Sequence, residues 1–103
     1  MAGELIINDV KDGSAVTLKV SGRIDTNTAP SLESKIQEVV TESIKKLVID
    51  LEDVNYVSSA GLRVFLSAHK MMSKLDGLEI AHANDDIKEI FEVTGFSDIL
   101  TIV

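Results

Sequence analysis

The chain has 103 residues, enough to bury one hydrophobic core and too few for two, so a single domain over residues 1–103 is expected. Its 45% hydrophobic and 4% aromatic content fits a globular chain with a Val, Ile and Leu core and argues against disorder. A net charge of -7 repels nucleic-acid phosphates and anionic lipid headgroups, and the lack of cysteine removes disulfides, thiol nucleophiles and Cys-based metal sites.

At the N-terminus, MAGELIINDV shows no basic region followed by an apolar run. No later segment approaches the ~18 apolar residues needed to span a bilayer, so a cytoplasmic protein without membrane insertion is expected. A hairpin follows: a strand from Leu5 to Val10, the turn Lys11-Asp12-Gly13-Ser14, and a strand from Ala15 to Ser21. Asp12-Gly13 predicts a type I′ turn, and Val16, Leu18 and Val20 alternate with Thr17, Lys19 and Ser21 as in a strand with one buried face. Thr28 is the expected N-cap of a first helix, with Pro30 in its opening turn. Leu32, Ile36, Val39 and Val40 form its apolar stripe, and the helix is expected to end near Ser43.

Lys46 to Leu51 reads as a central strand and Glu52 to Val57 as a loop, before a second helix from about Ser59 to Leu75 that Gly77 terminates. Val64, Phe65, Ala68, Met71, Met72 and Leu75 are its predicted core arc; Leu62, Leu66 and His69 lie on the shoulder, where the leucines are either a widened core face or a small docking patch. Leu78 to Ala83 is the next strand. Asn84 caps a third helix through Val93, Gly95 is its C′ residue, and Ile99 to Val103 is a last strand. The order β-β-α-β-α-β-α-β predicts an α/β fold with a mixed sheet, parallel in its later part, and helices packed against it.

On this frame Ser58 and Ser59 sit where a strand meets a helix N-terminus, the edge at which open α/β sheets meet ligands and partners. One serine suffices as a cap, which leaves the other to be exposed. Hydrolase chemistry fits poorly: Val57 replaces the first glycine of Gly-x-Ser-x-Gly, and His69 is about 15 Å further down the same helix. Neither His69 nor His82 has a partner at metal-ligand spacing, and Asp25, Glu52 and Asp53 read as solvated loop carboxylates beside a strand Asp50, so no metal is expected. A phosphoryl group at this position would face free helix N–H groups and add charge to an acidic surface, which suits a switch at an interface.

The sequence resembles the STAS domain family and, within it, the bacterial anti-sigma factor antagonists. The resemblance covers nearly the whole chain: Val20-Ser21-Gly22-Arg23-Ile24-Asp25, Val48-Ile49-Asp50-Leu51 through Val57-Ser58-Ser59-Ala60-Gly61-Leu62-Arg63, and Ile90-Phe91-Glu92-Val93-Thr94-Gly95-Phe96. It implies a non-enzymatic protein without cofactor that binds an ATP-dependent serine kinase, the anti-sigma factor. It also implies that the kinase phosphorylates Ser59, with Ser58 the second choice, and that a serine phosphatase resets the protein, in a cycle called partner switching. The implied contact surface comprises Gly22, Arg23, Asp25, Thr26, Tyr56, Ser58, Ser59, Gly61, Leu62, Arg63 and Leu66. Many members carry Asp where this sequence has Ser58, and many continue into a further helix where it ends at Val103. A constitutive STAS subunit of a transporter or signalling assembly is the alternative expectation.

Overall fold

The computed structural model describes residues 5–103; the first four residues, part of the stretch scanned for a targeting signal, lie outside the described residues. The elements are β1 Ile6–Asp12, β2 Ala15–Ile24, α1 Ala29–Val39, β3 Lys46–Val57, α2 Ser59–Met72, β4 Gly77–Ala81, α3 Asp85–Val93, a 3₁₀ turn Phe96–Asp98 and β5 Thr101–Ile102. The sheet order is β1-β2-β3-β4-β5, with β1 antiparallel to β2 and every later pair parallel. Each parallel step needs a crossover, which the three helices supply. This is the mixed α/β sheet that the alternation of patterns predicts.

The core follows from register. Val16 pairs with Leu47 and Leu47 with Leu78, while Leu18 pairs with Ile49 and Ile49 with Ile80, so parallel pairing lines up apolar rows on one face. Leu32, Ile36, Phe65, Ala68, Met72, Ile87 and Phe91 of the helices pack into the same buried cluster. Phe65 meets Phe91 edge to face, with centroids 6.0 Å apart and rings at 64°. The other face carries half-buried or exposed Thr17, Lys19, Val48 and Thr101, and an ion pair of 2.9 Å between Lys46 and Glu79.

Several local expectations change, among them the end of the first helix, which stops at Val39 and not near Ser43. The hairpin turn is centred on Gly13-Ser14, because Asp12 pairs with Ala15; of these two only Gly13 has positive φ, at 62°, the pattern of a type II′ turn instead of I′. The second helix ends at Met72, three residues early, and Met71 and Leu75 are 42% and 44% exposed. Leu62, assigned to the shoulder, is buried, so the core arc is rotated toward the start of the helix. The last strand is only Thr101–Ile102, because a 3₁₀ turn takes up Phe96–Asp98 after Gly95, which has φ 80°.

The largest difference lies in β3, which continues through the expected loop Glu52 to Val57. Lys19 pairs with Asp50 but Ser21 with Asp53, and Gly22 pairs with Val54 but Arg23 with Tyr56. At each shift β3 advances by one residue more than β2, as in a β-bulge. Leu51, Val54 and Val57 are therefore the buried residues of this stretch, at a spacing of three that period-two reasoning discards. The Asp50 carboxylate steadies the first bulge by accepting the Glu52 N–H at 3.0 Å.

Truncating Phe65 to Ala should lower unfolding stability by about 3–5 kcal/mol, since it removes a fully buried ring and its partner's contact. Urea titration followed by circular dichroism measures this, and an unchanged midpoint would contradict the packing described.

Candidate functional site: the serine turn at the carboxyl edge of the sheet

The last residues of β2 and β3 form the floor of the site. Ile24 pairs with Val57, and the Ser58 N–H continues the ladder to the Ile24 carbonyl at 2.8 Å. The chain then turns into α2. Ser58 is the N-cap: its extended backbone (φ -89°, ψ 174°) aims Oγ at the first turn, where it accepts the Gly61 N–H at 3.4 Å. Its carbonyl accepts the Leu62 N–H at 3.0 Å, which starts the helical ladder. Ser59 is the first helical residue and is exposed, so the half-buried serine caps and its neighbour faces solvent.

Gly61 lets the helix come this close. A Cβ there would lie 2.6 Å from Ile24 Cγ2 and 3.0 Å from Val57 Cγ1, both on buried side chains. The glycine thus seats the first turn of α2 on the β2 and β3 ends.

The segment after β2 is held by a compact set of hydrogen bonds. Asp25 Oδ1 accepts the N–H groups of Asn27 at 2.9 Å and Thr28 at 3.0 Å. The Thr28 hydroxyl donates to the Arg23 carbonyl at 2.7 Å and accepts the Asp25 N–H at 2.8 Å. Thr28 does occupy the N-cap position of α1, but its buried side chain reaches back to the turn and makes no cap bond. The Thr28 N–H does most to hold the Asp25 carboxyl below the usual carboxylate range, against the opposing effect of burial; Asn27, the Thr28 hydroxyl and Arg23 add to the lowering.

The remaining expected site residues divide by exposure. Arg23, Thr26, Tyr56 and Arg63 are exposed, Gly22, Asp25 and Leu66 are half-buried, and Gly61 and Leu62 are buried. Leu62 is therefore a core residue here, and the docking patch expected of Leu62 with Leu66 does not form as a pair. Gly22 has φ 113°, a conformation that disfavours a side chain. An open groove of about 240 Å³ runs between the starts of α1 and α2, with Thr26, Pro30, Glu33, Ala60 and Arg63 among its walls.

Sequence spacing gave no reason to join His82 to a carboxylate, yet pairing of Asp50 with Ala81 brings it there. Ligand atoms of Asp50, Glu52 and His82 lie within 4.8 Å of one another, and His82 Nδ1 is 3.0 Å from Asp50 Oδ1. His82 has φ 59°, and the bulge and the His–Asp contact account for the grouping without an ion. Asn84 also does more than cap α3: its Oδ1 accepts the Ile87 N–H at 2.9 Å while Nδ2 donates to the Val54 carbonyl at 3.3 Å, tying α3 to the bulged strand.

Gly61→Ala should destabilise the fold by about 1–3 kcal/mol, since Ile24 and Val57 must shift; a urea midpoint equal to wild type would refute the close approach. Carbon-detected NMR should place the Asp25 carboxyl titration below the ordinary ~3.9. Because the folded value is the lower one, this stabilisation is present above the unfolded value and is lost as pH falls through the folded midpoint. A midpoint at or above the ordinary value would contradict these hydrogen bonds.

Comparison with known proteins gives this geometry its context. The family model described as STAS domain matches residues 7–103. The chain is 33% identical over 96 residues to an anti-sigma-B factor antagonist of Bacillus subtilis (strain 168), covering 91% of this chain and 87% of that protein. It is 31% identical over 86 residues to the anti-sigma-B factor antagonist of Staphylococcus aureus (strain NCTC 8325 / PS 47), covering 82% and 80% respectively. A crystal structure of an anti-sigma factor antagonist from Mycobacterium paratuberculosis superposes with a TM-score of 0.88 at 26% identity, over 99% of this chain and 89% of that one. The chain belongs to the STAS domain family, among the anti-sigma factor antagonists, which are regulatory proteins and not enzymes.

Proposed function

We propose that this protein is a phosphorylation-switched antagonist that binds an anti-sigma factor of the serine-kinase type in the cytoplasm and so regulates transcription dependent on a sigma factor. The observation that carries the reading is the division of labour between the two serines: Ser58 caps α2, which leaves the Ser59 hydroxyl exposed at its first position. The ordered Asp25 turn and the β2 end flank it across the Ser58 to Ile24 hydrogen bond. Gly22, Arg23, Asp25, Thr26, Tyr56, Arg63 and the edge of Leu66 complete the docking surface, with Gly61 and Leu62 supporting it from below.

In the switch, Ser59 Oγ attacks the γ-phosphorus of ATP held by the kinase; the P–O bond to ADP breaks, and the hydroxyl proton passes to a base on the kinase. Such a transfer rests on positioning and on electrostatics supplied with Mg²⁺ by the kinase, so this chain need only present the hydroxyl. The product adds about -1.5 to -2 charges at a surface of a chain whose net charge is already -7. Helix N–H groups accommodate the phosphate, so the scaffold persists while the partner is released. A serine phosphatase returns the hydroxyl by water attack at phosphorus, releasing inorganic phosphate.

Incubation with the cognate kinase and ATP, followed by peptide mass spectrometry, should place one phosphate on Ser59, absent from Ser59→Ala and retained in Ser58→Ala. Ser59→Asp should weaken kinase binding tenfold or more, about 1.4 kcal/mol. Persistent labelling of Ser59→Ala, or co-purification with a transporter ATPase in place of a kinase, would overturn the assignment.

A further inference from the structure

Beside the serine turn, the sheet presents a feature that capping and phosphorylation leave unused. Arg23 and Tyr56 face each other across the parallel β2–β3 ladder, and both point away from the buried Ile24 and Val57 that follow them. The Arg23 guanidinium carbon lies 4.2 Å from the centre of the Tyr56 ring. Its Nε is 3.7 Å from Asp25 Oδ2, and Asp25 is itself fixed by the Asn27 and Thr28 N–H groups. Ring and carboxylate thus hold a side chain that would otherwise be free to rotate. Even so, 51% of the Arg23 side-chain surface and 38% of Tyr56 remain exposed.

A guanidinium stacked on an aromatic ring keeps its planar fork of donors, which matches a carboxylate in two-point contact, and less rotamer entropy is lost when it binds. Tyr and Arg are also the residue types most enriched among energetic anchors of interfaces. Asp25, Glu52, Asp53, Asp85 and Asp86 are exposed or half-buried carboxylates on the segments that meet this edge, so the partner face should be broadly basic. Arg63 is a second exposed cation at this edge; Arg23, preset by ring and carboxylate, calls for one opposing carboxylate, which fixes register instead of adding general attraction.

We infer that the Arg23–Tyr56 stack is a preorganised anchor that receives an Asp or Glu side chain of the anti-sigma kinase and sets the docking register beside Ser59. This rests on the proposed function, and the test separates the two. The dissociation constant of the cognate kinase is measured by calorimetry for wild type, Arg23→Ala, Arg23→Lys, Tyr56→Leu and the Arg23→Ala/Tyr56→Leu double variant, with urea midpoints recorded for each to verify folding. Arg23→Ala should weaken binding at least tenfold and Arg23→Lys should recover only part of it. The double variant should be weaker than Arg23→Ala by less than the Tyr56→Leu factor, because the pair acts as one unit. Arg23→Glu should be rescued by Lys substitution of one kinase carboxylate, found by scanning its Asp and Glu residues.

If wild type binds the kinase and Arg23→Ala binds equally well, the anchor is wrong while the proposed function stands. If wild type does not bind, both fall. If the Arg23→Ala loss appears only with nucleotide on the kinase, Arg23 meets a nucleotide phosphate and the carboxylate assignment is overturned.

Discussion

Helix α2 sits on the ends of β2 and β3 because Gly61 has no side chain to hold it off Ile24 and Val57. That contact sets the distance between the serine turn and the segment after β2. With the helix seated there, the Ser58 N–H reaches the Ile24 carbonyl, and the first helical residue must emerge beside the Asp25 turn. The surface around Ser59 is thus a by-product of close packing beneath it, which explains why the most buried residues of the motif are its glycine and leucine, and not its serines.

The bulged half of β3 is the second determinant. Each extra residue rotates the strand relative to β2, so that Val54 and Val57 turn into the core while Tyr56 faces out opposite Arg23. Such bulges need support because they interrupt the ladder. Asp50 bonds the Glu52 N–H at one, and Asn84 bonds the Val54 carbonyl from the α3 cap. Residues distant in sequence therefore stabilise the strand on which the serine turn is mounted.

Charge at this edge has a part in the fold, and under the proposed function it would also act on association. Asp25 is committed to backbone N–H groups that hold its carboxyl below the usual carboxylate range, so it belongs to the turn as much as to the surface. A phosphate on Ser59 would join an acidic rim without displacing any hydrogen bond that holds α2, since the cap belongs to Ser58. With the cap on Ser58, a change of charge on the neighbouring Ser59, as the proposed function has it, would leave the helix start in place.

The sequence by itself determined the order of elements, the parallel character of the sheet, the Asn84 cap, the Gly95 helix end and the place of the serine turn. These are local consequences of period, capping chemistry and backbone freedom, which neighbouring residues encode. Tertiary structure decided what depends on pairing between distant strands. The spacing of three in Leu51, Val54 and Val57 reads as a loop until β2 lies alongside and absorbs the bulges. Likewise, Thr28 looks like a helix cap until the Arg23 carbonyl is within reach, and Leu62 on the helix shoulder fits core and docking patch alike until Gly61 lets the helix descend onto the sheet. In each case the deciding contact joins segments brought together by the parallel crossover, and a one-dimensional pattern carries no record of that distance.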